Sequence, residues 1–348
     1  MKQNTLNRSL IQAIMKRTIH HIKENPEHEM RSLIDLGKMF SKGHFQQEFF
    51  ADAGLDLEKN KSLYYKIAKN AIQKTDNEHL LSFGMNFGYN SLTYGAKQIR
   101  DFEDEAGFRI PWTIFITLSG DGKLDLKQLD RFTTQGEEMG IFTYLVRVTK
   151  SFDNLKSLCR IFRRHENCAF ALFSDPENLL SENALDSLRE LENILVCLQM
   201  NTGDGKTISK ATTALRRLKI LCAAYYPAGR AERISIKETA HTAAKLGYEL
   251  LFTMHDYTFY LKHRDEIDRT LRDTRLNLQL PIIPFDIFSD VVMVDENIST
   301  EGCLAVVDAD GELTIANMEN GEVKKGLSII QKPLSDILRT ALPKQAAT

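Results

Sequence analysis

The chain has 348 residues, of which 43% are hydrophobic and 26% charged, and its 45 basic and 47 acidic residues leave a formal net charge of -2. This is the profile of an ordinary globular protein that can bury a sizeable core. The balanced charge argues against nucleic acid or an anionic membrane as the partner, and we predict no signal peptide and no transmembrane segment.

Residues 1–109 are predicted to form a helical extension. Apolar residues recur there at helical spacing, as in the stripe of Leu10, Ile11, Ile14 and Met15. No convincing strand interrupts this pattern before Ile110. The stripe is compatible with a membrane-surface or partner-binding face, but we favour packing against its own domain, which is the commoner use of an amphipathic helix.

From residue 110 onward, strand-like runs alternate with helical segments. This alternation implies parallel strands joined by right-handed crossovers. Six such units predict an α/β fold, namely a partial (β/α)6 TIM-like barrel, with a doubly wound sheet as the alternative. The predicted strands are Trp112 to Thr117, Ile141 to Val148, Cys168 to Phe173, Ile194 to Met200, Ile220 to Tyr226 and Glu249 to Met254. The predicted helices are Leu124 to Gly140, Phe152 to His165, Glu182 to Glu192, Ser209 to Leu218, Ile236 to Gly247 and Tyr260 to Leu276.

A small tail is predicted after Pro281. Two β runs flank an Asp-Gly turn in "LAVVDADGELTIAN", which is a good hairpin signal, and the helical segment "PLSDILRTAL" follows. We therefore predict three parts: a helical extension over 1–109, a partial barrel over 110–280 and a tail over 281–348.

The five cysteines are widely spaced. They are Cys159, Cys168, Cys197, Cys222 and Cys303, and no two stand at CxxC spacing. This argues against a zinc ribbon or a local iron–sulfur motif, so we predict no metal site. We interpret them as reduced, structural thiols of a cytoplasmic protein.

The loops after the predicted strands are where a parallel α/β fold binds ligands. These loops are polar and of mixed charge, which is also how solvated loops look. Arg147 is the side chain best suited to hold an anionic substrate. The predicted ligand-binding residues are Arg147, Thr149, Lys150, Ser174, Asp175 and Asn201.

The segment "MNTGDGKT" has glycines, a lysine and a threonine between a strand and a helix. This composition suggests a phosphate-binding loop. The GxxxxGK[ST] spacing is absent, however, so we favour a plain turn that caps the next helix.

The segment "TMHDYTFY" supplies the predicted catalytic candidates His255 and Asp256, with Tyr226 as a third. An imidazole beside a carboxylate is suited to acid–base work or to binding a ligand. A competing interpretation is that bulky side chains near the strand ends, including Phe152, Tyr225 and Tyr257, simply fill the barrel mouth.

The order of these segments resembles the radical SAM superfamily, especially members with a helical amino-terminal extension and a SPASM-like tail. The resemblance covers about two-thirds of the chain. A lead-in "NFGYNSLTYGAKQIRDFEDEAGFRIPW" precedes the first strand, and "LDLKQLDRFTTQGEEMGI" and "DNLKSLCRIFRRHENCAFALFSD" lead to the next two. It implies a radical-SAM-type barrel and a SPASM-like remnant at 281–348.

The cluster motifs of that family are missing here. The family has a CxxxCxxC loop after the first strand, whose thiolates hold a [4Fe–4S] cluster, whereas this chain has "LSGDGK". The family's GGEP-type segment is replaced by "YLVRVTKSFD". In the tail segment "GCLAVVDADGELTIAN", Cys303 and Gly311 match the SPASM pattern, but Ala316 stands where its second cysteine belongs.

The resemblance therefore implies a degenerate member without an iron–sulfur cluster. We expect a pseudoenzyme: a non-catalytic partner or substrate-binding subunit of an active radical SAM paralogue, or a homo-oligomer, with a small-molecule or peptide ligand. We expect no cofactor, with S-adenosylmethionine binding without cleavage as the exception. The alternative is an enzyme whose refitted barrel mouth performs cluster-independent acid–base chemistry.

Overall fold

The structure is a computed structural model that describes residues 2–22, 24–40, 54, 58, 61–202, 204–229, 232–299, 302–318 and 321–344. None of the helices in these residues combines the length and apolar character that a membrane span requires. The chain forms two compact units. The first unit comprises Met1–Met85 and Val196–Asp290, and the second comprises Asn86–Leu195 and Val291–Thr348.

The six strands predicted for the barrel are all present, and the described residues also contain the two strands of the predicted hairpin and two strands that were not predicted. The predicted fold class, α/β with parallel strands joined by helices, is confirmed. The strands are β1 (Thr113–Leu118), β2 (Thr143–Val148), β3 (Ala169–Ser174), β4 (Ile194–Gln199), β5 (Cys222–Pro227), β6 (Leu250–Met254), β7 (Ile283–Asp286), β8 (Cys303–Val307), β9 (Glu312–Asn317) and β10 (Val323–Ser328).

The amino-terminal extension is helical where it is described, as predicted; residues 41–53, 55–57 and 59–60 of it lie outside the described residues. A π-helix over Met85–Gly95 was not predicted. The α-helices are α1 (Lys2–His21), α2 (Pro26–Phe40), α3 (Lys61–Lys74), α4 (Asn77–Gly84), α5 (Ala96–Ala106), α6 (Leu126–Met139), α7 (Leu155–Arg164), α8 (Pro176–Leu179), α9 (Ala184–Arg189), α10 (Gly205–Arg217), α11 (Ile236–Lys245), α12 (Tyr257–Leu276), α13 (Ile287–Ile298) and α14 (Leu334–Ala341).

In the first unit, β4, β5, β6 and β7 pair in that order, and all pairs are parallel. The predicted amphipathic helix α1 packs against α2 and α4, in agreement with the interpretation favoured from its sequence. Lys74 at the end of α3 donates a hydrogen bond of 2.7 Å to the Gly247 carbonyl, just before β6. The helical extension is thereby tied to the base of this sheet.

In the second unit, the strands lie in the order β10, β9, β8, β1, β2, β3. The predicted hairpin is present as the antiparallel pair β8 and β9, with Gly311 at a φ of 77° in its turn. β8 also pairs in parallel with β1, so the hairpin extends the strands of this unit. The domain boundaries at 109/110 and 280/281 stay a prediction.

Candidate functional site

The turn after β1, in the second unit, contains a hydrogen-bonded cluster of hydroxyls and one carboxylate. The Ser119 hydroxyl lies 2.8 Å from that of Ser151 and accepts a 3.0 Å hydrogen bond from Thr149. Ser119 also donates to the Asp121 carboxylate, and this bond lowers the pKa of Asp121. The cluster joins the ends of β1 and β2, and its carboxylate is ionised at neutral pH.

The same turn packs closely against its neighbours. A Cβ atom added at Gly120 would lie 2.0 Å from the Ser151 carbonyl oxygen, and one added at Gly122 would lie 2.3 Å from that of Ala309. Leu124 N donates a 3.0 Å hydrogen bond to the Ala309 carbonyl. The turn therefore accepts only glycine at both positions without a backbone shift.

The cysteines do not fit an iron–sulfur cluster. Cys159, Cys168, Cys197 and Cys303 are buried, and Cys222 is half-buried. They lie on or beside five different elements, and burial raises the pKa of Cys159 and of Cys222 to about 12. Cluster ligands are deprotonated thiolates, and within the described ranges no three acidic, histidine or cysteine side chains could share a metal ion.

The ends of β2 and β3 hold most of the other predicted ligand-binding residues. Asn178 donates a 2.8 Å hydrogen bond to the Thr149 carbonyl, which links the loops after these two strands. Lys150 is exposed. Ser174 is buried and donates to the Asp175 carbonyl at 3.2 Å. Thr149 thus lies in the cluster around Ser119, while Ser174 is held inside the protein.

Asn201 belongs to the first unit, where it links the loop after β4 to the end of β5. Its amide donates a 2.8 Å hydrogen bond to the Pro227 carbonyl. The following turn caps α10, because the Asp204 carboxylate accepts a 2.6 Å hydrogen bond from Thr207 N. The plain capping turn favoured from the sequence is therefore present.

A buried histidine–aspartate dyad lies at the ends of β6 and β7 in the first unit. His255 Nδ1 is 2.8 Å from Asp286 Oδ2, and their side chains are 2% and 0% exposed. The same carboxylate accepts hydrogen bonds from the Thr253 hydroxyl at 3.0 Å and from Ser289 N at 3.2 Å. These partners orient the carboxylate, which in turn orients the imidazole.

The other two predicted catalytic candidates are placed differently. Asp256 caps α12 by accepting hydrogen bonds from Thr258 N at 3.1 Å and Phe259 N at 3.4 Å. Tyr226 is half-buried, and burial raises the pKa of its hydroxyl. The carboxylate that pairs with His255 is therefore that of Asp286, 31 residues further along the chain. Catalytic roles for His255, Asp256 and Tyr226 stay predictions.

A small pocket of about 30 Å³ adjoins His255 in the first unit. The Phe259 ring stacks on the His255 imidazole with 5.5 Å between the ring centroids. The His263 ring lies on Phe259, with 4.4 Å between their centroids. The residues of α12 that line the pocket are spaced three and four positions apart. This helical spacing is visible in the sequence and could have revealed them as one surface. The lining residues are Arg233, Ile234, Ile236, His255, Phe259, His263, Glu266, Ile267 and Thr270.

No protein-family model and no curated protein matches this chain. Among solved structures it is similar to Streptococcus suis SuiB bound to the precursor peptide SuiA, with 11% identity and a TM-score of 0.47 over 70% of this chain and 67% of that one. SuiB bound to S-adenosylmethionine has 12% identity and the same TM-score over 70% and 66% of the two chains. For anSMEcpe with bound AdoMet and a peptide, identity is 11% and the TM-score 0.38, over 65% and 80%. These neighbours are radical SAM enzymes.

At 11–12% identity these neighbours bear on the fold alone, and the radical SAM resemblance drawn from the sequence stays a resemblance. The prediction that the protein has no cofactor is wrong, because the neighbours include structures solved with S-adenosylmethionine bound.

Proposed function

We propose that this protein is a radical SAM-like pseudoenzyme that does not carry out cluster-dependent chemistry and works as a non-catalytic binding subunit. One observation carries the proposal: the turn after β1 holds hydroxyls and the Asp121 carboxylate where the superfamily keeps three thiolates. Iron–sulfur clusters are held by thiolates. The cysteines of this chain lie on other elements, mostly buried.

S-adenosylmethionine is a different case, since it does not itself need a thiolate from the protein. When bound, it supplies an adenosyl group and a charged amino-acid group for recognition. Hydroxyl, carboxylate and amide side chains after β1 to β3, such as Thr149, Asp121 and Asn178, are donors and acceptors suited to both groups. We propose that the second unit binds this ligand without cleaving it.

We further propose that the partner is a peptide or an active radical SAM paralogue, and that the protein works in the cytoplasm, where its five thiols stay reduced. Half-buried Ser119 and exposed Asp121 and Ser151 form a polar rim that can exchange hydrogen bonds with a peptide at the edge of an interface.

Anaerobic reconstitution with iron and sulfide tests the proposal. We expect no absorbance band at about 400 nm and an iron content well below one iron per chain. We also expect no deoxyadenosine to form from S-adenosylmethionine under reducing conditions. Calorimetry on the same sample is expected to detect S-adenosylmethionine binding. An intact radical SAM enzyme, treated in parallel, controls for the procedure. A stable band with about four irons per chain contradicts the proposal that the protein is a pseudoenzyme. The absence of binding heat contradicts the proposal that it binds S-adenosylmethionine.

A second candidate function, acid–base catalysis in the first unit, rests on the His255–Asp286 dyad and its pocket. Asp286 accepts the Nδ1 proton, which leaves Nε2 of His255 as the basic nitrogen. From the residues that the structure describes, Nε2 accepts one long hydrogen bond, of 3.4 Å, from Ile234 N. An imidazole held in this tautomer is suited to removing a proton from a water molecule or a substrate.

Hydrolysis of p-nitrophenyl acetate tests the second candidate. We expect His255→Gln and Asp286→Asn to slow hydrolysis by at least about tenfold, since a positioned general base contributes ~100-fold or more. His241→Gln, which changes an exposed histidine on α11, is the matched control and is expected to hydrolyse at the wild-type rate. Equal rates in wild type and His255→Gln would remove this candidate, provided that circular dichroism shows both folded.

A further inference from the structure

A buried histidine in the second unit has a carboxylate beside each of its two ring nitrogens. His165 directly follows α7, and its side chain is 4% exposed. Its Nδ1 lies 2.6 Å from Glu137 Oε2, and its Nε2 lies 3.1 Å from Asp130 Oδ1. Both carboxylates belong to α6, about two turns apart on one face of the helix. The imidazole therefore connects the end of α7 to α6.

This arrangement suits one protonation state of the ring. A neutral imidazole carries a proton on one nitrogen and a lone pair on the other. In either neutral tautomer of His165, the lone pair faces a carboxylate oxygen within hydrogen-bond distance, and two acceptors repel each other. The imidazolium form donates from both nitrogens and places a positive charge between two negative ones. The geometry therefore favours the charged ring.

The groups around the ring agree with this charge. Arg164 forms an ion pair with Asp130. The Cys168 thiol donates a 3.3 Å hydrogen bond to Glu137 Oε1, and burial raises the pKa of this thiol, so it stays uncharged. Burial lowers the pKa of His165, but the hydrogen bonds and charges of Glu137 and Asp130 outweigh it and raise the pKa overall. The titratable and charged groups that face the ring or its partners are Asp130 and Glu137 on α6, Arg164 on α7, Tyr144 on β2 and Cys168 before β3.

The loop between α7 and β3 is also held by amide groups that do not titrate. Asn193 donates a 3.1 Å hydrogen bond to the His165 carbonyl. Asn86, in the π-helix, donates to the carbonyls of Glu166 and Cys168 at 2.7 and 3.0 Å. These bonds persist when the ring loses a proton, whereas the ionic contact between the loop and α6 depends on that proton.

We propose that the contact of His165 with Asp130 and Glu137 is a pH-sensitive switch, which loosens α6 from the loop before β3 when the imidazole loses a proton. Because folding raises the pKa of His165, the contact stabilises the protein fully below the ordinary histidine pKa of about 6.5. This stabilisation is lost as the pH rises through the raised value. Helix α6 begins just after the turn that contains Ser119, so the switch acts on the helix that supports this turn.

NMR of the ring nitrogens in isotope-labelled protein tests the protonation state, and the signals of His165 are those absent from His165→Gln. We expect both nitrogens to carry a proton at pH 7 and to titrate with a midpoint above about 6.5. Glu137→Gln should lower this midpoint by at least about half a pH unit, because it removes an opposite charge. Glu138→Gln makes the same change at the exposed neighbouring carboxylate and should move the midpoint by less than about 0.2 pH unit.

Amide hydrogen exchange in α6 tests the switch itself. The ratio of protection in wild type to that in His165→Gln is expected to fall at least about threefold between pH 6 and pH 9, because glutamine does not titrate. A ring nitrogen of His165 without a proton at pH 7, or an equal ratio at both pH values, overturns the proposal. If His165→Gln does not fold, Glu137→Gln replaces it in the exchange comparison and identifies the His165 signals by the shift that it causes.

Discussion

Replacing Asp295 with alanine is expected to lower the free energy of unfolding by about 2–6 kcal/mol. The Asp295 carboxyl group, 1% exposed, accepts a 3.0 Å hydrogen bond from Trp112 N and a 2.7 Å hydrogen bond from Cys303 N. These two amides precede and begin the strands β1 and β8, which pair in parallel. Alanine leaves both buried amides without an acceptor, at ~1–3 kcal/mol for each.

The effect of this replacement should depend on pH. Burial raises the pKa of Asp295 to about 7. The ordinary pKa of an aspartate is about 4. At pH values between about 4 and about 7, the folded protein therefore keeps a proton on Asp295 that the unfolded chain has lost. The contribution of Asp295 to stability is therefore largest at low pH and falls as the pH rises through this window.

Urea unfolding of wild type and Asp295→Ala at pH 5 and pH 8 measures both effects. The loss of stability should be larger at pH 5 than at pH 8. Asp310→Ala makes the same change at an exposed carboxylate of the same unit and should cost less than about 1 kcal/mol. A loss below about 1 kcal/mol in Asp295→Ala, or the opposite dependence on pH, contradicts this account.

Gly136→Ala is expected to destabilise the protein by about 1–3 kcal/mol, although alanine is the better helix former by ~1 kcal/mol. Gly136 lies in α6, and an added Cβ atom would be 2.1 Å from the Tyr144 hydroxyl oxygen. That hydroxyl is within hydrogen-bond distance of the Thr133 and Ile141 carbonyls, and the Tyr144 side chain is fully buried. The ring cannot move aside without losing these contacts.

Gly205→Ala is the matched control, because an added Cβ atom at this position in α10 has no neighbour within 4 Å. It should leave stability unchanged or raise it by up to ~1 kcal/mol. The double variant Gly136→Ala with Tyr144→Phe, which removes the hydroxyl, should recover part of the loss in thermal unfolding. Stabilisation by Gly136→Ala alone is the outcome that contradicts the clash.

The strands and helices that were not predicted from the sequence have compositions that are unusual for their type. β7 is only four residues long and contains Pro284, which argues against a strand interior. β10 reads "VKKGLS", with little β propensity apart from its ends. Helix α13 contains the run Val291 to Val294, whose β-branched residues favour a strand. The π-helix has no hydrophobic period that distinguishes it from an α-helix.

The candidate sites were predictable only in part. The sequence places Arg147, Thr149 and His255 at strand ends, and the structure finds them there. It associates His255 with its neighbour Asp256, which is instead a helix cap. The partner Asp286 comes from the next strand, and strand pairing between β6 and β7 brings it within 2.8 Å.

The sequence by itself determined the alternation of strands and helices and the lack of a cysteine motif after β1, because periodicity and local motifs are properties of neighbouring residues. Only the tertiary structure decided which distant groups meet: Asp286 with His255, and Asp295 with two strand amides. Such contacts depend on strand register and helix packing. For this reason the plain turn at Ser119 could be recognised from the sequence, whereas the pairing of His255 with Asp286 could not.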